Sequence, residues 1–149
     1  RFPGLISHTK EPGGGTTDYA VEIYFEAVRH GHYTSYIAKH TYMDIMYMDD
    51  AIDATIKLMT APKEQVKIRY SYNLGGMSFT PQELAIEIKK TMPDFEIKYE
   101  PDFRQAIADS WPASIDDSSA KQDWGLNYKF DISSMSIDMI NNLKKKLGK

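Results

Sequence analysis

Arg1-Phe2-Pro3-Gly4-Leu5-Ile6-Ser7 and, after a short gap, Gly13-Gly14-Gly15-Thr16-Thr17-Asp18-Tyr19-Ala20 set the architecture of this chain. Phe2, Leu5 and Ile6 read as the end of a buried strand. The stretch from His8 to Gly15, with Pro12 and the glycine run, must be a loop. Thr16 or Thr17 then caps a helix predicted over residues 18–30. Ala20, Ile23, Tyr24, Ala27 and Val28 share one face of it, and Gly31 stops it. Strand, loop and helix in succession open an α/β chain. A buried strand at the first residue is further read as the continuation of a longer polypeptide.

Outward from this unit, helices keep alternating with strands. His32 to Met48 is rich in Tyr, Thr, Ile and Met, which favours extended backbone. A helix follows Asp49-Asp50, read as its N-cap, with an apolar face of Ile52, Ile56 and Met59 and a stop at Pro62. Residues 68–74 read as a strand closed by Gly75-Gly76. In Phe79-Thr80-Pro81-Gln82-Glu83-Leu84, Thr80 is an N-cap, Pro81 sits at N1, Glu83 completes a capping box, and Phe79 and Leu84 form a hydrophobic staple. That helix should bury Leu84, Ala85, Ile88 and Met92. Phe95, Ile97 and Tyr99 alternate as a short strand. Short helices over 102–109 and 117–124 flank the loop Ser110-Trp111-Pro112, and a last helix spans 134–147. The expected fold is α/β, an incomplete sheet with some antiparallel pairing and flanking helices.

Composition narrows the function classes. A chain of 149 residues fits one domain with a real core. With 18 Lys plus Arg against 21 Asp plus Glu, the formal charge is −3, which argues against a general nucleic-acid binder. No apolar run approaches the ~18 residues of a membrane span. There is no cysteine, hence no disulfide, no thiolate catalysis and no Cys-ligated zinc. With no basic and apolar leader at the first residues, a cytoplasmic location is expected.

Few motifs carry chemistry. Gly13-Gly14-Gly15-Thr16-Thr17 leads into a helix N-terminus, where backbone N–H groups and hydroxyls favour an anion. Asp18 partly offsets that field, so a small carboxylate suits the loop better than a polyphosphate. The loop is neither a Walker loop nor a dinucleotide fingerprint, since the G-x-G-x-x-G spacing fails at Asp18. His30, His32 and His40 have no partner carboxylate at ligand spacing, so no metal site is expected. Trp111 stands outside any periodic face. As a loop tryptophan it can close over a ligand, and its ring attracts cations.

Four of these pieces, Arg1 to Ser7, Gly13 to Ala20, Met46-Tyr47-Met48-Asp49-Asp50-Ala51 and Ser71-Tyr72-Asn73-Leu74, resemble the extended short-chain dehydrogenase/reductase superfamily. Within it, Met77-Ser78-Phe79-Thr80-Pro81 and the run from Tyr99 to Pro112 resemble the NAD-dependent L-threonine 3-dehydrogenases. The resemblance implies that residues 1–149 are the C-terminal substrate-binding lobe of a Rossmann-type fold, working on a small amino acid, with a homodimer as the complete assembly and no nucleic-acid or membrane partner. It places Phe2, Pro3, Gly4 and Leu5 beside the nicotinamide of NAD, Gly15, Thr16 and Thr17 in the substrate loop, and Trp111 near the substrate. The family's Gly-rich dinucleotide turn and Tyr-x-x-x-Lys pair are absent, so no catalytic residue is assigned in this chain and it is expected to be inactive alone. Sugar-nucleotide epimerases and dehydratases of the same superfamily are the nearest alternative. They often carry an arginine that grips a diphosphate at the position of Met43, and a thioether cannot do so. A non-catalytic binding module derived from such an enzyme is the other alternative.

Overall fold

A computed structural model describes residues 1–149. In chain order the elements are β1 (Gly4–Ile6), α1 (Tyr19–His30), β2 (His32–Ser35), β3 (Met43–Tyr47), α2 (Met48–Thr60), β4 (Met77–Phe79), α3 (Pro81–Thr91), β5 (Glu96–Tyr99), α4 (Arg104–Asp109), α5 (Ser118–Trp124) and α6 (Ile132–Leu147). A 3-10 turn, Thr16–Asp18, precedes α1. One sheet has the order β1-β3-β4, with β1 parallel and β4 antiparallel to β3. A second pairs β2 with β5 in parallel. The fold is thus α/β with an incomplete sheet, as its alternation of elements predicts.

Strand β3 divides the interior. Successive side chains on a strand point to opposite faces, so Met43, Ile45 and Tyr47 enter the main core with α1, α3 and α6. Met46 turns to a smaller core on the far face, with Tyr72, Leu74, Trp124 and Leu126. Asp44 shares that far face. Helix α1 is buried almost all round, through Ala20, Ile23, Tyr24, Phe25 and Ala27, and Gly31 ends it at φ 75°, a left-handed conformation that suits glycine. The capping box on α3 forms as its sequence predicts: the Glu83 N–H donates to Thr80 Oγ1 at 3.2 Å and the Thr80 N–H to Glu83 Oε2 at 2.8 Å. On α6, Asp131 is the cap, accepting from the Ser134 N–H at 2.7 Å.

Three expectations are corrected. Residues 68–74 form no strand: Tyr72 and Leu74 instead run beside the chain start, with the Arg1 ammonium donating to the Tyr72 carbonyl at 2.7 Å and the Leu74 N–H to the Arg1 carbonyl at 2.9 Å. The Tyr72 hydroxyl accepts from the Ile68 N–H and so holds this segment in an irregular bend. Asp49 and Asp50 do not cap α2, whose N-cap is Tyr47. Asp50 is buried and accepts from the N–H groups of Lys129 and Phe130 at 2.8 and 3.1 Å. Finally, Ile52, Ile56 and Met59 are not core residues but lie exposed, because α2 packs through its small residues Ala51 and Ala54.

Candidate functional site

The glycine loop is locked. Asp18 Oδ2 accepts from the Gly13 and Gly15 N–H groups at 2.7 and 2.9 Å. The Tyr36 hydroxyl donates to the Gly15 carbonyl at 3.0 Å, and Arg104 Nη1 to the Gly14 carbonyl at 3.2 Å. The Arg104 guanidinium lies 3.2 Å from the centroid of the Tyr36 ring. Asp102 accepts from its Nε and Nη2 edge, at 2.6 Å from Nη2, and those hydrogen bonds hold the Asp102 carboxyl below the usual carboxylate range. The donors at Gly13 and Gly15 are therefore already satisfied.

Thr17 faces a hollow of ≈ 330 Å³, shared with Phe2, Pro3, Gly4, Asp44, Trp111, Pro112 and Ile115. Gly4 permits this approach. A Cβ at that position would stand 2.6 Å from Thr17 Cγ2 and 2.9 Å from both Thr17 Cβ and Ile45 Cδ1. Trp111 is carried in by the turn after α4, where its N–H donates to the Ala108 carbonyl at 3.1 Å. The following segment is pinned to the sheet: the Ile115 N–H donates to Asp44 Oδ2 at 2.8 Å, and the Ser78 hydroxyl donates to the Ala113 carbonyl. Trp111 is 45% exposed, so its ring walls the hollow while remaining reachable from solvent.

Of the residues singled out in the sequence, the structure brings Phe2, Pro3, Gly4, Thr17 and Trp111 together. It leaves three outside. Leu5 turns to the opposite face of β1 and packs on the smaller core. Gly15 lies in the clamped loop, and buried Thr16 supports the turn from behind. Asp44 is the site residue that the sequence does not single out. Its one visible signal is a lone carboxylate inside the otherwise apolar strand Met-Asp-Ile-Met-Tyr. Burial raises its pKa, the Asp117 carboxylate adds to that, and the Ile115 N–H opposes it.

Other arrangements offer less chemistry. A hollow of equal size, ≈ 330 Å³, lies beside Phe79, Glu83 and Glu87. Its two carboxylates are committed, Glu83 to the α3 cap and Glu87 to Lys90 at 2.6 Å. His30 and His32 stack loosely, with ring centroids 6.0 Å apart, and no three His, Asp or Glu side chains converge as metal ligands. No helix is long and apolar enough to cross a membrane.

No protein-family model matches the chain. A curated relative, an uncharacterized epimerase/dehydratase of Staphylococcus haemolyticus, is 61% identical over 147 residues, covering 98% of this chain and 46% of the relative. Among solved structures, L-threonine dehydrogenase from Phytophthora infestans superposes with a TM-score of 0.95 at 49% identity, covering 98% of this chain and 47% of that one. The holo form of a GalE-like L-threonine dehydrogenase from Cupriavidus necator gives a TM-score of 0.93 at 53% identity, covering 97% and 47%. The chain spans about half the length of the curated relatives it matches. Over that half it has the α/β fold of the extended short-chain dehydrogenase/reductase superfamily, and within the superfamily its sequence and structure resemble the L-threonine 3-dehydrogenases.

Proposed function

We propose that this chain is the substrate-binding lobe of an NAD-dependent L-threonine 3-dehydrogenase, an enzyme that oxidises the 3-hydroxyl of L-threonine to give 2-amino-3-oxobutanoate. The observation that carries this reading is the single hollow shared by Thr17, Trp111 and the Phe2-Pro3-Gly4 turn. The Thr17 hydroxyl is a donor for the carboxylate of an amino acid, and the Trp111 face attracts a cation.

The residues present fit only one end of the cofactor. Phe2 and Pro3 offer an apolar edge, while the space beside the bare Cα of Gly4 is taken up by Thr17 and Ile45. No glycines in this chain have dinucleotide spacing, and no tyrosine is followed by lysine four residues on. In this reading the diphosphate turn and the general base belong to the other half of a longer protein, and NAD, when bound, would supply the hydride acceptor. This chain's own residues orient the amino acid so that C3 lies over the Phe2-Pro3-Gly4 edge. Positioning of that kind can contribute about 7–11 kcal/mol of barrier reduction in favourable systems.

A sugar-nucleotide substrate suits the hollow less well. No lysine or arginine lines it. Met43, at the position where the resemblance would put a diphosphate-binding arginine, is buried in the core at 1% exposure.

Steady-state kinetics on the complete protein test the proposal. L-threonine should reduce NAD in a saturable manner, UDP-sugars should not be turned over, and this chain alone should show no threonine-dependent NADH signal. Turnover of a UDP-sugar in place of L-threonine, or threonine oxidation by this isolated chain, would contradict it.

A further inference from the structure

The hollow holds one ionisable side chain, and it is an acid. Asp44 lines it together with Thr17 and Trp111, and no cationic side chain does. The carboxylate is half used: Oδ2 accepts the Ile115 N–H at 2.8 Å, and Oδ1 has no partner in the chain. Lys121, whose charge favours the ionised Asp44, makes its direct ion pair with Asp117 at 2.8 Å. Asp117 is occupied a second time by the Tyr128 hydroxyl at 2.6 Å, so it offers Asp44 no relief. A carboxylate drawn partly out of water costs free energy, and an incoming cation recovers part of it.

Geometry fixes where the carboxylate sits. Asp44 is held on the far face of β3 by antiparallel pairing opposite Ser78, and the Ile115 hydrogen bond fixes its rotamer. Thr17 enters the hollow across Gly4, from the loop preceding α1. Thr17 and Asp44 therefore line the same small volume from two different elements. That is the disposition a zwitterion needs, its carboxylate at one end and its ammonium at the other. Trp111 closes the side between them.

We propose that Asp44 binds the α-ammonium of the amino-acid substrate through its free carboxylate oxygen and so makes the site select amino acids over the corresponding hydroxy acids. The assignment rests on the amino-acid reading of the site given above, and it names the group that discriminates. Trp111 alone would accept any cation or apolar group lying on its face, whereas Asp44 requires a charged donor in one place.

The test uses the complete protein with NAD, comparing L-threonine as substrate with 3-hydroxybutyrate, the same molecule without its amine, as a competitive inhibitor. Asp44→Asn keeps an amide oxygen for the Ile115 N–H and removes the charge. The KM for L-threonine should rise about 10- to 100-fold, the loss expected for one charge-assisted bond. The Ki of 3-hydroxybutyrate should stay level or fall, so the preference for the amino acid collapses. Both constants are independent of the fraction of folded enzyme, so even a less stable variant separates the two outcomes. A KM for L-threonine within twofold of wild type overturns the role of Asp44, as does an equal rise in both constants. If wild-type protein does not oxidise L-threonine at all, the underlying amino-acid reading has failed, and the inference goes with it.

Discussion

Thr17 occupies its position because two other residues yield to it. Gly4 gives up a side chain, and Asp18 consumes the loop donors that would otherwise compete for an anion. In the complete protein, Thr17→Val keeps the branched shape that packs on Gly4 and deletes the donor. One hydrogen bond to a charged group is worth about 1.5–3 kcal/mol, so the KM for L-threonine should rise by about one to two orders of magnitude. Steady-state kinetics read this directly, and an unchanged kcat/KM removes Thr17 from the site. Thr17 and Trp111 are legible in the sequence because each breaks a local rule, one as a hydroxyl in a glycine loop and the other as a large aromatic in a turn. Asp44 is not. The period of the strand shows which face it occupies, but the segment that covers that face, from Ala113 to Asp117, follows about 70 residues later in the chain, as the contact to Ile115 shows.

Helix α2 inverts the usual relation between polarity and burial. Its apolar positions Ile52, Ile56 and Met59 are 51%, 54% and 80% exposed, while Asp50 is 2% exposed. Asp50 ties the start of the helix to the Lys129 and Phe130 backbone. Chemical denaturation of this chain should separate two variants. Asp50→Ala should cost about 1.5–3 kcal/mol for each bond to the carboxylate, because it strands two backbone donors. Ile56→Lys should stay within about 0.5 kcal/mol of wild type, as surface changes usually do. The opposite ranking would mean that α2 packs through its isoleucines. The α3 start is readable to the residue, since Thr80, Pro81 and Glu83 are a local device that acts within one turn. For α2 the sequence shows the helix and misleads about its orientation. Periodicity identifies an apolar stripe but does not say what lies against it. Here the small core is met by Ala51 and Ala54, and Ile52 and Ile56 rim an open apolar hollow with Phe2 and Leu5. The predicted strand over 68–74 fails for a related reason: its backbone groups find Arg1 and its Tyr72 hydroxyl finds Asp123 and Ile68, so the ladder is replaced by individual bonds.

At the scale of the molecule, one strand organises the function. Strand β3 sends Ile45 into the main core and Met46 into the smaller one, and the site opens near the start of the strand, where Asp44 meets the β1 turn and the Trp111 turn. The α/β class is legible because strand and helix signals alternate along the sequence. The division into two cores is not, since it depends on which helices cover which face of three short strands. The central claim is that the hollow between Thr17, Asp44 and Trp111 holds a zwitterionic amino acid. Its most direct test is a crystal structure of the complete protein with NAD and L-threonine. The amino acid should lie in that hollow, with its carboxylate on the Thr17 hydroxyl, its ammonium on Asp44 and C3 turned toward the Phe2-Pro3-Gly4 edge. Threonine bound elsewhere, or bound there with Thr17 and Asp44 both out of hydrogen-bond reach, would contradict the claim.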